Sequence, residues 1–196
     1  MTSQVVLATH NPHKVAEFQA IVAQVRPDLE VVSYDGPEPV EDGTTFAENA
    51  LIKARAAAAH TGLVALADDS GICVDVLGGS PGVFSAYWAG HRKDARANLA
   101  LLLDQLSDLA RDEDRSAQFR STIAVVSPGG SEHVVEGVWP GRVAREPQGE
   151  HGFGYDPVFI PDGGDRSAAE LSPEEKNAAS HRARAFAALG DVLRDL

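Results

Sequence analysis

The chain has 196 residues, and its 29 acidic and 17 basic side chains give a formal net charge of −12 at pH 7. This length fits one domain spanning residues 1–196, or at most two small lobes, and an apolar content of 43% excludes a chain that is disordered throughout. The charge argues against a nucleic-acid binder, which needs a basic surface, and the apolar runs are too short to predict a membrane span or a signal peptide.

Strand-like and helix-like patterns alternate along the first part of the chain. The predicted strands cover residues 5–8, 31–34, 63–67, 72–76, 119–125, 133–139 and 153–160. The predicted helices cover residues 12–27, 45–62, 94–110 and 172 to nearly the C-terminus. Because the middle of the chain is hairpin-like, we expect an α/β fold with a mixed sheet rather than a doubly wound parallel sheet.

Three helix starts carry capping residues. They are Asn11 before Pro12, Thr45 with Glu48, and Ser172 with Pro173 and Glu175. The acid-rich stretch 35–43 is typical of a loop, and Asp68-Asp69-Ser70-Gly71 is expected to form an acidic turn between two strands.

The turn from Thr9 to Lys14 is the first candidate site. It joins a strand to the N-terminus of a helix, where free backbone N–H groups and the positive end of the helix dipole suit a phosphate. The alternative is an ordinary, well-capped helix.

The acidic turn is the second candidate site. Adjacent carboxylates at Asp68 and Asp69 repel each other, and Mg²⁺ would offset this repulsion by binding carboxylate and substrate phosphate oxygens together. Glu41 or Asp42 can supply a further carboxylate from the preceding loop. The alternative is that these acids are simply solvated.

Two further candidates lie towards the C-terminus. The glycine-flanked segment from Gly152 to Asp156 can hold a planar base by stacking and hydrogen bonding, or it is a strand with core aromatic residues. Lys176, His181 and Arg182 give the last helix a basic stretch, which is either a binding surface or a solvated face.

Other chemistry has no motif support. The chain has no dinucleotide-binding, Walker or zinc motif. His10 and His13 lack further ligands for a metal site. The single cysteine, Cys73, cannot form an internal disulfide, fits a reducing cytoplasm and is expected to be a small buried hydrophobe.

Motifs along nearly the whole chain resemble the inosine triphosphate pyrophosphatase family. They are LATHNPHK at 7–14, TFAENA at 45–50, ADDSG at 67–71, PGV at 81–83, GVWPG at 137–141, GFGYDPVF at 152–159, AEL at 169–171, EKN at 175–177 and SHR at 180–182.

The resemblance implies Mg²⁺-dependent hydrolysis of ITP, dITP and XTP to the monophosphate and pyrophosphate. It also implies a homodimer whose mixed central sheet, flanked by helices, forms two lobes around a nucleotide cleft, and a cytoplasmic location agrees with the single cysteine. By position, Asp69 would be the catalytic base and would bind the metal together with Glu41. The residues expected to bind substrate are Thr9, His10, Asn11, Pro12, His13, Lys14, Lys53, Ser70, Phe153, Gly154, Tyr155, Asp156, Lys176, His181 and Arg182.

The chain departs from the family pattern at two places. Many members have glycine at the positions of His10 and His13, and either imidazole can reach the phosphates. Tyr87 and Trp88 stand where many bacterial members have Arg-Tyr, and this segment is assigned no catalytic role. A pyrophosphatase for other nucleotides and a nucleotide sensor without turnover are the alternative functions, and the intact acidic pair favours the enzyme.

Overall fold

A computed structural model describes residues 3–194, without the side chain of His13. The strands are β1 (Ser3–Leu7), β2 (Leu29–Ser33), β3 (Val64–Val74), β4 (Ser116–Val126), β5 (Glu132–Val143) and β6 (Phe159–Pro161). The α-helices are α1 (Pro12–Val25), α2 (Phe46–Thr61), α3 (Ala95–Gln105), α4 (Pro173–Ala179) and α5 (His181–Arg194). Short 3₁₀ turns cover Asp75–Leu77, Gly82–Tyr87, Asp112–Arg115 and Asp156–Val158.

The six strands form one mixed sheet in the order β2-β1-β3-β4-β5-β6. β1 is parallel to both of its neighbours, with Val5 opposite Val31 on β2 and Val64 on β3. β5 and β6 are antiparallel, with Gly141 opposite Pro161. The predicted mixed α/β fold is therefore confirmed. Within residues 3–194, no helix has both the length and the apolar character needed to cross a membrane.

The chain divides into two compact units. Unit 1 contains residues 3–69, 121–137 and 185–194, and unit 2 contains residues 70–120 and 138–184. Each unit has its own apolar core.

The core of unit 1 has two parts. In one, Phe18 of α1 meets Phe186 of α5 edge to face, with ring centroids 4.6 Å apart. In the other, α2 packs through buried alanines at 50, 54, 57 and 58, whose spacing places them on one helix face. Since alanine side chains are small, the backbone of α2 can lie close to the sheet, which brings Lys53 near the end of the unit 1 part of β3.

The predicted start and end of α2 are confirmed. The Thr45 hydroxyl accepts a hydrogen bond from the N–H of Glu48, and the Glu48 carboxylate accepts from the N–H of Thr45 and Thr44. The hydroxyl of Thr44 also donates to this carboxylate, and together with the backbone hydrogen bonds from Thr44 and Thr45 it lowers the pKa of Glu48. Gly62 ends the helix at φ 69°, a left-handed conformation that glycine adopts without a steric penalty.

The core of unit 2 is rich in aromatic residues. Phe119 of β4 meets Phe159 of β6 at 4.6 Å between centroids, and Trp139 of β5 lies 5.3 Å from Phe159. Arg115 is 2% exposed, and its guanidinium donates to the backbone carbonyls of Val143, Leu106 and Ala144.

The predicted acidic turn at 68–71 is wrong, since β3 runs unbroken from Val64 to Val74. Successive side chains of a strand point to opposite faces, so the carboxylates of Asp68 and Asp69 diverge. Each also has a lysine nearby, Lys14 for Asp68 and Lys53 for Asp69. These cations offset the repulsion between the two carboxylates.

The predicted strand at 153–160 is also wrong, because regular strand structure begins only at Phe159. Gly152 and Gly154 have φ angles of 77° and 63°, so the backbone turns there instead of extending. Residues 156–158 then form a 3₁₀ turn.

Two predicted helices have different limits. The helix expected at 94–110 ends at Gln105, because Leu106 leaves the helical conformation and is followed by Ser107 and Asp108, which are poor helix formers. The single C-terminal helix is two helices, α4 and α5, separated by Ser180. Ser180 has extended backbone angles, and its hydroxyl accepts from the N–H of Ala183 at 3.3 Å.

Candidate active site

The turn between β1 and α1 carries the first group of predicted site residues. The hydroxyl of Thr9 accepts a hydrogen bond from the N–H of Asn11 at 3.2 Å, and α1 begins at Pro12 as predicted. The first turn of any α-helix has N–H groups without partners inside the helix, and these suit an anionic ligand.

Lys14 on this helix is held by a carboxylate of β3. Its ammonium lies 2.8 Å from both oxygens of Asp68, whose side chain is 7% exposed. The Lys14 side chain is 32% exposed, so the pair presents a positioned cation next to the turn. Asp68 therefore orients Lys14, a role that the sequence did not indicate.

Lys53 of α2 lies beside two further acids of unit 1, Glu41 and Asp69. Its ammonium is 2.9 Å from Oε2 of Glu41 and 3.8 Å from Oδ1 of Asp69. Burial alone would lower the pKa of Lys53, but the charges of Asp69, Glu41 and Asp68 and the hydrogen bond to Glu41 outweigh burial and raise it. Lys53 is thus a firmly protonated cation between two acids that are far apart in sequence.

The carboxylates of this group suit a divalent-metal site whose remaining ligands come from the substrate and water. Within residues 3–194, no three His, Cys, Asp or Glu side chains form a ready-made metal site. Mg²⁺ is commonly held by one or two protein carboxylates together with substrate phosphates and water. Glu41 and Asp69, both beside the Lys53 ammonium, fit that requirement.

Unit 2 contains a second group, built on the turn at 152–156. Asp156 is 3% exposed, and its Oδ2 accepts hydrogen bonds from the N–H of Phe153 at 2.8 Å and from Lys176 at 2.5 Å. A Cβ on Gly152 would lie 2.2 Å from the same oxygen, so glycine is required there. The buried carboxylate therefore shapes the turn and anchors Lys176.

Phe153 forms an exposed aromatic surface above this turn. Phe153 is 67% exposed, which is unusual for a phenylalanine. The Lys176 ammonium lies 5.6 Å from the ring centroid and the Arg182 guanidinium carbon 5.3 Å from it, both within cation–π range. An exposed ring with two cations suits a flat, polar ligand such as a nucleobase.

Two other predicted residues of unit 2, Tyr155 and His181, are buried. His181 is 6% exposed and stacks on Phe119, with centroids 4.9 Å apart and planes 15° apart. Burial raises the pKa of the Tyr155 hydroxyl, which donates to the backbone carbonyl of Ser85 at 2.9 Å. Ser70 begins the unit 2 part of β3 directly after Asp69.

The structure thus brings the predicted residues together in two sets. Unit 1 assembles Lys14 with Asp68, and Lys53 with Glu41 and Asp69, while unit 2 assembles Phe153, Asp156, Lys176 and Arg182. The sequence reasoning missed the partners of His10, which are Glu38 and Gly36. No local pattern could have indicated them, because they lie 28 and 26 residues away along the chain.

A mixed α/β fold that carries grouped carboxylates and lysines defines a protein equipped for an anionic ligand. Comparison with known proteins identifies the family, because the model of the Ham1 family matches residues 5–192. A dITP/XTP pyrophosphatase of Leifsonia xyli subsp. xyli is 66% identical over 98% of this chain and 96% of its own length.

Solved structures agree with that assignment. The Ham1 protein of Staphylococcus aureus superposes with a TM-score of 0.91 at 36% identity, covering 98% of this chain and 99% of its own. A nucleoside-triphosphatase / dITP/XTP pyrophosphatase from Mycobacterium abscessus has a TM-score of 0.83 at 53% identity, covering 95% and 98%. The chain belongs to the Ham1 family, which confirms the resemblance inferred from its motifs.

Proposed function

We propose that this chain hydrolyses ITP, dITP and XTP to the nucleoside monophosphate and pyrophosphate with Mg²⁺, and so removes deaminated purines from the nucleotide pool. The enzyme class is that of its relatives, which are named dITP/XTP pyrophosphatases. The observation that carries the proposal is the group of Lys53, Glu41 and Asp69, because it combines a cation for phosphate with carboxylates for metal and water.

The residues of unit 1 would bind the polyphosphate. Lys14, held by Asp68, and Lys53 would contact phosphate oxygens, together with the backbone of residues 9–13 and the side chains of Thr9 and Asn11. Glu41 and Asp69 would hold Mg²⁺, which when bound would neutralise negative charge on the polyphosphate.

Asp69 would also act as the general base. Its carboxylate would orient a water molecule and accept a proton from it as the water oxygen bonds to the α-phosphorus. The bond from phosphorus to the bridging oxygen would break, and pyrophosphate would leave. The Lys53 ammonium, 3.8 Å from Oδ1 of Asp69, would help to hold this carboxylate in position.

The residues of unit 2 would bind the nucleoside. Phe153 would stack on the base, while Lys176 and Arg182 would donate to its polar edge. Inosine and xanthosine carry a 6-keto acceptor where adenosine has an amino donor. Donors opposite this position would therefore leave the adenine amino group unpaired and discriminate against ATP. Ser70, Gly154, Tyr155, Asp156 and His181 complete the proposed substrate-binding set.

Two further properties are part of the proposal. The active form would be a homodimer, and its location would be the cytoplasm, where the nucleotide pool is used. Light scattering during size-exclusion chromatography would measure the mass in solution, and a mass of one chain at the assay concentration would contradict the dimer.

The deciding experiment is a pyrophosphate-release assay with Mg²⁺ across ITP, dITP, XTP, GTP and ATP. We expect release from the first three and much slower release from GTP and ATP. Binding of dITP without release would instead indicate a nucleotide sensor. Comparable rates on GTP, or a preference for modified pyrimidines added to the panel, would contradict the proposed substrate class.

A further inference from the structure

The segment between β2 and α2 carries Glu41 and is tied down at both ends. Near its start, the hydroxyl of Tyr34 donates to the carbonyl oxygen of Pro37 at 3.0 Å. Near its end, the N–H of Gly43 donates to the side chain of Asn49, which is 4% exposed, at 2.9 Å. The position of Glu41 therefore depends on how firmly these two ends are held.

His10 makes a third attachment to this segment. Its Nε2 lies 3.0 Å from the carbonyl oxygen of Gly36, which can only accept, so Nε2 is the donor. Its Nδ1 lies 3.1 Å from Oε1 of Glu38. The ring is also stacked parallel to Tyr34, with planes 3° apart and centroids 5.8 Å apart.

Both ring nitrogens and one face of His10 are thus directed at residues 34–38. Gly36 leaves little room for this part of the loop to shift towards Tyr34, because a Cβ there would lie 2.4 Å from the Tyr34 hydroxyl. His10 itself belongs to the turn that precedes α1. It therefore links the proposed phosphate-binding turn to the loop that carries the proposed metal ligand.

We propose that His10 is a positioning residue that holds residues 36–38 and thereby keeps Glu41 beside Lys53. This assigns the imidazole a different task from the direct phosphate contact expected from the sequence. The inference rests on the proposed function, since it takes Glu41 to be a metal ligand.

The test compares wild type with His10→Ala and His10→Gln, whose amide nitrogen can replace Nε2 as a donor. Hydrogen exchange is measured first on the metal-free, substrate-free protein. We expect the amides of residues 36–42 to exchange faster in His10→Ala and to recover at least partly in His10→Gln. His133→Ala is the matched control, because His133 is an exposed histidine of β5 in the same unit, and its ring lies 3.3 Å from the Ser131 hydroxyl.

The second measurement is the Mg²⁺ concentration for half-maximal pyrophosphate release at saturating dITP. We expect His10→Ala to raise it by about fivefold, the size expected when one contact of a half-exposed side chain is lost, with kcat at saturating Mg²⁺ little changed. His133→Ala should leave the Mg²⁺ requirement within about twofold of wild type.

The outcomes separate this inference from the proposed function. Unchanged exchange at residues 36–42, or an unchanged Mg²⁺ requirement, overturns the positioning role. A higher KM for dITP at saturating Mg²⁺ with unchanged exchange would show that His10 binds substrate directly. If wild type releases no pyrophosphate from any triphosphate, the proposed function fails and the metal role of Glu41 fails with it, while the exchange data still decide whether His10 holds the loop.

Discussion

The ammonium nitrogen of Lys53 lies 3.8 Å from Oδ1 of Asp69, and it lies 2.9 Å from Oε2 of Glu41. A lysine of α2 thus holds two acids, one from a loop and one from β3, in one place. The Lys53 side chain is 16% exposed, so its charge is shielded from solvent and acts strongly on both neighbours.

Replacing Lys53 should make the free energy of unfolding depend less on pH above about pH 10 than it does in wild type. Because the folded-state pKa of Lys53 is raised above its ordinary value, its ion pairs contribute stability below that ordinary value, and the contribution is lost as pH rises through the folded pKa. Lys53→Met should cost about 1–2 kcal/mol at pH 7, and the difference from wild type should shrink above about pH 10.5.

Urea unfolding at a series of pH values measures this difference. Lys53→Arg is the control, because a guanidinium stays charged throughout the range. A difference between wild type and Lys53→Met that stays constant from pH 8 to 12 would show that the ion pairs of Lys53 do not stabilise the fold.

Asp69→Asn should nearly abolish turnover while leaving the fold intact. Asparagine has the same shape but cannot accept the proton of the attacking water, and a general base typically contributes about 10²–10⁴-fold to a rate. Pyrophosphate release from dITP and the thermal midpoint are the two measurements. Asp104→Asn, at an exposed acid of α3, is the matched control. Turnover within tenfold of wild type in Asp69→Asn would rule out Asp69 as the base.

Removal of the Phe153 ring should weaken substrate binding without lowering stability. Stacking of a base on an aromatic side chain is worth about 1–3 kcal/mol, so Phe153→Ala should raise KM for dITP by about tenfold or more. Phe153→Trp should retain most of the affinity. Phe84 is 50% exposed in the same unit, and Phe84→Ala is therefore a suitable control. Equal KM values in Phe153→Ala and wild type would remove Phe153 from the proposed base site.

Gly152→Ala should displace the Asp156 carboxylate. The new Cβ would lie 2.2 Å from its Oδ2, and the left-handed φ of 77° adds strain of about 1–2 kcal/mol. Gly163 has a similar φ of 79°, and a Cβ there meets no described atom within 4 Å. Gly163→Ala therefore measures the strain alone. If Gly152→Ala loses more thermal stability than Gly163→Ala and has a higher KM, the contacts of Asp156 and Lys176 have been lost. Equal losses of stability in the two variants would contradict the predicted displacement of Asp156.

Local signals in the sequence predicted the elements around the site well. The start of α1 at Pro12 and both ends of α2 depend on residues within one helical turn, so a single sequence reveals them. The continuous β3 could not be predicted locally, because the lysines that face Asp68 and Asp69 lie 54 and 16 residues before them in the chain. The buried stacking of His181 on Phe119 likewise depends on tertiary contacts.

The break between α4 and α5 allows Lys176 and Arg182 to lie near the same aromatic ring, that of Phe153. Lys176 and Arg182 are six residues apart, and in one continuous helix they would point about 120° away from each other. Ser180 interrupts the helical rotation between them, and both charges lie within 6 Å of the Phe153 ring centroid. The extended backbone of Ser180 therefore sets the directions in which the two cations point. A substitution that joined the two helices into one would turn one of the cations away from the ring.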